Sequence, residues 1–271
     1  MLIQSLEDEF DAPANFSRNL PSPPIGKLKS DGAPLTEEEK KSCRSGGRKL
    51  FSLMRHSLPD MLYAARESSK WISDGAIIYH KKVVHKMIKH VIHTKNRGPN
   101  LKPTLLFNHR NAKFIIKGKM DRNYATNPET RKSVSVFEVT LNGAPVVMRS
   151  VGQKIISLSV TEAEILVLTL GMQEMIHVMR FLESMGLCAE NPMCLESDNK
   201  GSIDVCNNGS INGQTKHMDV RNYFLRKLKE NGVLEFRWIP GEMNSVDLFT
   251  KNLPNQEFAK HAGSYCTDEI Y

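Results

Sequence analysis

From residue 114 onward, apolar positions alternate between short runs of period two and longer stretches of helical period. Residues 114–120 read as a first strand. Residues 134–141 read as a second, and Asn142-Gly143 predicts a tight hairpin turn into a third over 145–150. The spacing then predicts one long helix over 159–186. Its face carries Ile165, Leu168, Met172, Met175, Met179 and Leu182, a Met-rich stripe that reads as core. Glu162, Leu166 and Thr169 are expected to point away from that core. Apolar runs at 193–197 and 234–239 predict a fourth and a fifth strand. A short helix near Ser202 and a longer one over 216–231, ended by Gly232, fill the gap between them. Helical patterns at 244–253 and 256–261 follow. The class is α/β, with a mixed five-stranded sheet flanked by helices and no internal repeat.

The upstream part has a different pattern. Pro13, Pro21, Pro23, Pro24 and Pro34 stand among Ser, Gly and Asn, which predicts an extended Pro-rich linker over 1–35. Thr36 followed by three glutamates predicts a helix start, and Gly46-Gly47 weakens the middle of that helix. Pro59-Asp60 opens a second helix to about residue 71. A third over 76–93 has an apolar stripe of Ile77, Val84, Ile88 and Val91. Lys82, Lys86, Lys89 and His93 form a basic stripe beside it. The expected organisation is a linker over 1–35, a small basic helical region over 36–100, the α/β region over 110–262 and a tail over 263–271.

Charge sharpens this division. The chain of 271 residues has a net charge of +7, yet residues 40–119 hold 19 Lys/Arg against 3 Asp/Glu. The rest is net acidic. Such asymmetry suits a protein that grips a polyanion with one part and holds cations with another. The five cysteines form no CxxC pair, which argues against a disulfide framework or a zinc knuckle. His80, His85, His90 and His93 read as part of a basic face, because only the last pair has helical ligand spacing. No stretch reads as long and apolar enough to cross a membrane, and the acidic N-terminus does not read as a signal peptide. An intracellular protein without a membrane partner is expected.

Four acids stand where chemistry could use them. Asp121 follows the first strand, Asp198 follows the fourth, Glu164 lies in the first turn of the long helix, and Asp247 opens a late helix. Parallel pairing of strands one and four would make Asp121 and Asp198 neighbours. Ser159-x-x-Glu162 is a capping box that gives Glu162 a structural job, and Thr161-x-x-Glu164 would do the same for Glu164; the stripe favours Glu164, which borders the buried face. Converging carboxylates hold hard divalent ions for phosphodiester chemistry.

Several of these motifs resemble one family. Residues 157–164 (SLSVTEAE), 197–199 (SDN), 215–221 (TKHMDVR) and 246–253 (VDLFTKNL) resemble the ribonuclease H region of Ty1/copia-type retrotransposon polyproteins. Residues 118–125 (GKMDRNYA) resemble its first-strand motif. Residues 44–50 (RSGGRKL), Pro59-Asp60 and 95–98 (KNRG) resemble the reverse transcriptase connection region upstream of it. The resemblance covers roughly residues 10–262. It implies an RNase H-like sandwich that cuts the RNA strand of RNA–DNA hybrids with two Mg²⁺ ions. The matching metal-binding and catalytic acids are Asp121, Glu164, Asp198 and Asp247. The chain departs from the family at Asn123, where a second acid is usual, and at Val136, where glycine is common. With no Tyr-x-Asp-Asp motif, no polymerase activity is expected. The polymerase part of a related element is a further expected partner.

Lys216, His217 and Arg221, together with Lys82, Lys86 and Lys89, are the candidate phosphate contacts. Competing readings are a non-catalytic nucleic-acid-binding remnant of a truncated element and a purely structural module.

Overall fold

The computed structural model describes residues 2–10, 32–72, 77–103, 113–125, 130–208 and 216–267. At 55, 56, 71, 72, 208, 216–219 and 255 only the backbone is described. The elements begin with α1 (Leu2–Phe10), α2 (Glu37–His56), α3 (Leu62–Ile72), α4 (Ile78–His93) and β1 (Gly98–Pro99). Next come β2 (Ile116–Asn123), β3 (Val134–Leu141), β4 (Ala144–Gly152), α5 (Val160–Ser184) and β5 (Met193–Ser197). The chain continues with α6 (Lys200–Asn208), α7 (Lys216–Glu230), β6 (Leu234–Trp238), α8 (Asp247–Thr250), α9 (Asn255–Tyr265) and β7 (Cys266–Thr267).

Two compact units result, one of Met1–Asn100 with Lys251–Tyr271 and one of Leu101–Thr250. In the first, Thr36 starts α2 as expected. Its hydroxyl accepts from the Glu39 N–H (3.3 Å), and its own N–H donates to the Glu39 carboxylate (3.0 Å). The Gly46-Gly47 pair does not interrupt the helix. A Cβ on Gly46 would sit 3.0 Å from both Ile88 and Phe10, so the missing side chain is what lets these elements approach. Phe10 ends α1, a helix within 1–35 whose Leu6 is fully buried. That part of the expected linker is therefore helical, and the proline-rich 11–31 lies outside the described residues. Buried Asp60, in the turn Pro59–Met61, approaches His90 (3.4 Å) and Arg97 (3.6 Å). The Pro59-Asp60 and Arg97 motifs thus meet at one buried charge. The segment at 255–267 completes this unit, with β7 antiparallel to β1 and Phe258 edge-on to His90.

The second unit holds a five-stranded sheet in the order β4-β3-β2-β5-β6. The hairpins β2–β3–β4 are antiparallel, whereas β2–β5 and β5–β6 are parallel. This is the mixed five-stranded, helix-flanked sheet expected from the sequence. Asn142 (φ 51°) and Gly143 (φ 84°) both take the left-handed conformation that a two-residue hairpin turn needs. Helix α5 packs its stripe of Ile165, Leu168, Met172 and Met175 into the core with Met120 and Leu195. Contact is closest at Gly171, where a Cβ would lie 2.0 Å from the Met120 sulfur.

The expectation that no stretch could cross a membrane fails at one helix. Helix α5, 25 residues with a mean hydropathy of 1.4 over its most apolar window, is long and apolar enough to cross a membrane. The structure instead buries its N-terminal half in the core, including Leu166 and Thr169, which the pattern had turned outward. The Thr169 hydroxyl donates to the Ile165 carbonyl within the helix (2.7 Å), which satisfies it there.

Candidate metal centre

Parallel pairing aligns Met120 with Ser197, so the next residues, Asp121 and Asp198, emerge side by side. Asp121 is not at the strand end. It pairs with Val136, and β2 runs on to Asn123. Asp198 lies just beyond β5. Asp247 opens α8, itself fixed from several directions. The Asp247 N–H donates to the Asn244 carbonyl (3.1 Å), and the buried Asn244 amide donates to the Met120 carbonyl (3.3 Å). Ser150 donates to the Phe249 carbonyl (2.8 Å), and Asn123 donates to the Thr250 carbonyl (3.3 Å). Asn123 thus ties α8 to β2.

Carboxylate oxygens of Asp121, Asp198 and Asp247 all lie within 4.8 Å of one another. Asp121 is buried and the other two are half-buried. Gly241 approaches this cluster closely, since a Cβ there would stand 3.3 Å from Asp198 Oδ2. The exposed Trp238 indole donates to the Asp198 carbonyl (2.9 Å), which fixes the backbone beneath that carboxylate. Three hard carboxylates without histidine or cysteine form a donor set suited to Mg²⁺, Mn²⁺ or Ca²⁺. The cluster could hold such an ion.

Glu164, the fourth predicted acid, stands beside the cluster and is not among those three. Its Oε1 lies 2.9 Å from Arg122 Nε, an approach not directed as a hydrogen bond. The same oxygen accepts from Asn199 Nδ2 at 3.1 Å. Burial pushes the Glu164 carboxyl up to about 7, against the opposing pull of Arg122 and Asn199 and with a smaller push from Asp198. Glu162 takes the capping role. Its N–H donates to Ser159 Oγ (3.0 Å), while its carboxylate accepts from the Leu158 N–H (2.7 Å), one residue before the cap.

The supports of the site leave little mark in the sequence. Gln153 donates to Ser135 (3.0 Å) and to the Ala163 carbonyl (3.1 Å), and accepts from Ser157 (2.9 Å). This buried hub fixes the start of α5 and so the position of Glu164. Asn244 gave one faint signal, an amide three residues before an acid in a Pro-Gly loop. Of the candidate phosphate contacts, Lys82, Lys86 and Lys89 lie on α4 in the first unit, and Arg221 is half-buried on α7. The side chains of Lys216 and His217 lie outside what the structure describes.

The chain is similar to retrotransposon polyproteins. It is 33% identical over 144 residues to the retrovirus-related Pol polyprotein from transposon TNT 1-94 of Nicotiana tabacum, covering 53% of the chain and 11% of the polyprotein. It is 23% identical over 242 residues to that from transposon RE1 of Arabidopsis thaliana, covering 89% of the chain and 16% of the polyprotein. The chain therefore spans a minor part of the relatives it matches. Among solved structures, LC11-RNase H1, isolated from compost, aligns with a TM-score of 0.40 at 16% identity, covering 54% of this chain and 96% of that one. No protein-family profile matches the chain.

Proposed function

We propose that this retrotransposon Pol-type chain is a Mg²⁺-dependent endonuclease of the ribonuclease H type, cutting the RNA strand of RNA–DNA hybrids. The convergence of Asp121, Asp198 and Asp247 from three separate elements is the observation that carries the reading. Asp121, Asp198 and Asp247, with Glu164 adjacent, would hold two Mg²⁺ ions. Bound there, Mg²⁺ supplies Lewis-acid activation of water and charge neutralisation at the leaving oxygen.

The chain's own residues do the rest. The buried Asn244 and the Trp238 indole hold the cluster's backbone in place, so little reorganisation is needed when substrate arrives. Gly241 keeps a side chain away from Asp198, leaving one flank open to a phosphodiester backbone. Hybrid recognition would rest on 2′-hydroxyls read across the minor groove and on basic contacts to phosphates.

The test is cleavage of a hybrid labelled on its RNA strand, with and without Mg²⁺, alongside Asp198→Asn. Calorimetric titration with Mg²⁺ gives a readout independent of turnover. Expected results are cutting with Mg²⁺ only, and loss of both cutting and ion binding in Asp198→Asn. Unchanged cutting by Asp198→Asn would overturn the assignment. A second reading, hybrid binding without cutting, is favoured by one observation: Arg122 already sits against Glu164. Hybrid binding with no cleavage by the wild type would establish it.

A further inference from the structure

We propose that the groove along α4, lined by Lys81, Lys82, His85, Lys86 and Lys89 with Glu39 at its side, binds the phosphate backbone of a nucleic-acid duplex. This surface lies within the unit of Met1–Asn100 and Lys251–Tyr271 and is independent of the carboxylate cluster. Four lysines and a histidine face one glutamate across a groove of about 450 Å³. That glutamate is already engaged, because Glu39 accepts from Lys81 Nζ (2.8 Å) and from the Thr36 N–H (3.0 Å). The Lys81–Glu39 pair is then neutral, and the groove's net positive charge comes from Lys82, Lys86 and Lys89.

Burial weighs on two of the groove's side chains. Burial lowers the His85 pKa, and neighbouring Lys81 and Lys89 lower it further. Burial also lowers that of Lys86. The His85 imidazole is thus held neutral, so the lysines carry the groove's charge, and an incoming polyanion offsets the cost of half-burying Lys86.

Spacing suits a nucleic-acid strand. Lys82, Lys86 and Lys89 recur at steps of four and three on one helical face. They span about 10 Å of helix axis, or about three phosphate steps of one strand.

A membrane surface is the other polyanion to weigh. Basic helices that bind membranes insert an apolar face beside their cations. In α4 that face is spent inside the unit, where Val83, Val84, Met87, Ile88 and Val91 are buried. Ile78 is the one apolar residue at the groove, 42% exposed at the helix start. What α4 offers a partner is cations without a wedge, which favours nucleic acid.

Binding of the full chain to a fluorescently labelled RNA–DNA hybrid, measured by anisotropy in EDTA, tests this with cleavage suppressed. Three phosphate contacts contribute about −2.7 to the slope of log affinity against log salt, about 40-fold between 50 and 200 mM. Lys82→Gln/Lys86→Gln/Lys89→Gln should remove that part of the slope, and the triple Lys→Arg variant should restore it. A control of equal charge change in the other unit, Lys102→Gln/Lys113→Gln/Lys227→Gln, should change the slope by less than about 1. Equal effects of the two Gln triples would reduce the groove to net charge and overturn the proposal. So would an unchanged slope in the groove triple, or tighter binding to phosphatidylserine vesicles than to the hybrid. Binding in EDTA is read without cleavage, so failure of the nuclease reading leaves this one standing, and the reverse.

Discussion

Gly171→Ala tests how tightly the core behind the carboxylate cluster is set. An added Cβ would lie 2.0 Å from Met120 Sδ and 2.1 Å from Met120 Cε, where about 3.5–4.0 Å is comfortable. The Met120 side chain must retreat by about 1.5 Å. It has nowhere to go: Met120 and Met175 are fully buried, and the Met120 methyl already lies 2.7 Å from where a Cβ on Gly118 would stand. Overpacking of this kind costs about 3 kcal/mol, the upper end of its range, while alanine's helix propensity returns about 1 kcal/mol. The net loss is about 2 kcal/mol. Met120→Ala alone leaves a cavity worth about 3 kcal/mol. In Gly171→Ala/Met120→Ala the new methyl enters that cavity, so the double variant should lose only about 2 kcal/mol. Coupling is then about 3 kcal/mol, well beyond the ~0.5 kcal/mol scatter of independent sites. Urea unfolding followed by Trp238 fluorescence, in a Trp71→Phe background, measures this in the unit concerned. Additive losses would refute the packing argument.

Further outcomes follow from individual groups. Because burial raises the Glu164 carboxyl to about 7 from 4.5, the folded state binds the extra proton between those values. Metal-free stability should therefore fall as pH rises from 4.5 to 7, by up to about 3 kcal/mol, and Glu164→Gln should flatten that slope in denaturant titrations across pH. Thr36→Ala removes a complete capping box and should cost the first unit about 1 kcal/mol in thermal or urea unfolding. Burial pushes the Cys194 and Cys206 thiols up to about 12, whereas Cys188 is exposed. Ellman's reagent at mild alkaline pH should modify Cys188 at once and the other two only on unfolding.

The strands of the second unit were legible because period-two runs and an Asn-Gly turn are local signals. The end of β2 was not. Arg122 and Asn123 look like the polar exit of a strand, yet their pairing with Ser135 and Val134 carries the ladder past Asp121. Chain-distant pairing decides such ends, and it leaves no mark in the alternation. The outward face assigned to Leu166 and Thr169 failed for a related reason. A single stripe shows which side of a helix must be buried, and says nothing about a second layer covering the opposite side. Asp121, Asp198 and Asp247 could be picked out because acids beside apolar runs stand out. That Glu164 faces Arg122, and that Asn244 reaches the Met120 carbonyl, depends on approach between segments more than forty and one hundred residues apart.

The chain order of the three aspartates has a consequence for biogenesis. Asp121 and Asp198 leave the ribosome well before Asp247, and the turn that Asn244 pins to β2, with the Ser150 and Asn123 contacts to α8, brings the last carboxylate home. A nascent chain thus carries an unfinished triad until translation has passed that turn. The carboxylate cluster is complete only after the whole second unit has been made.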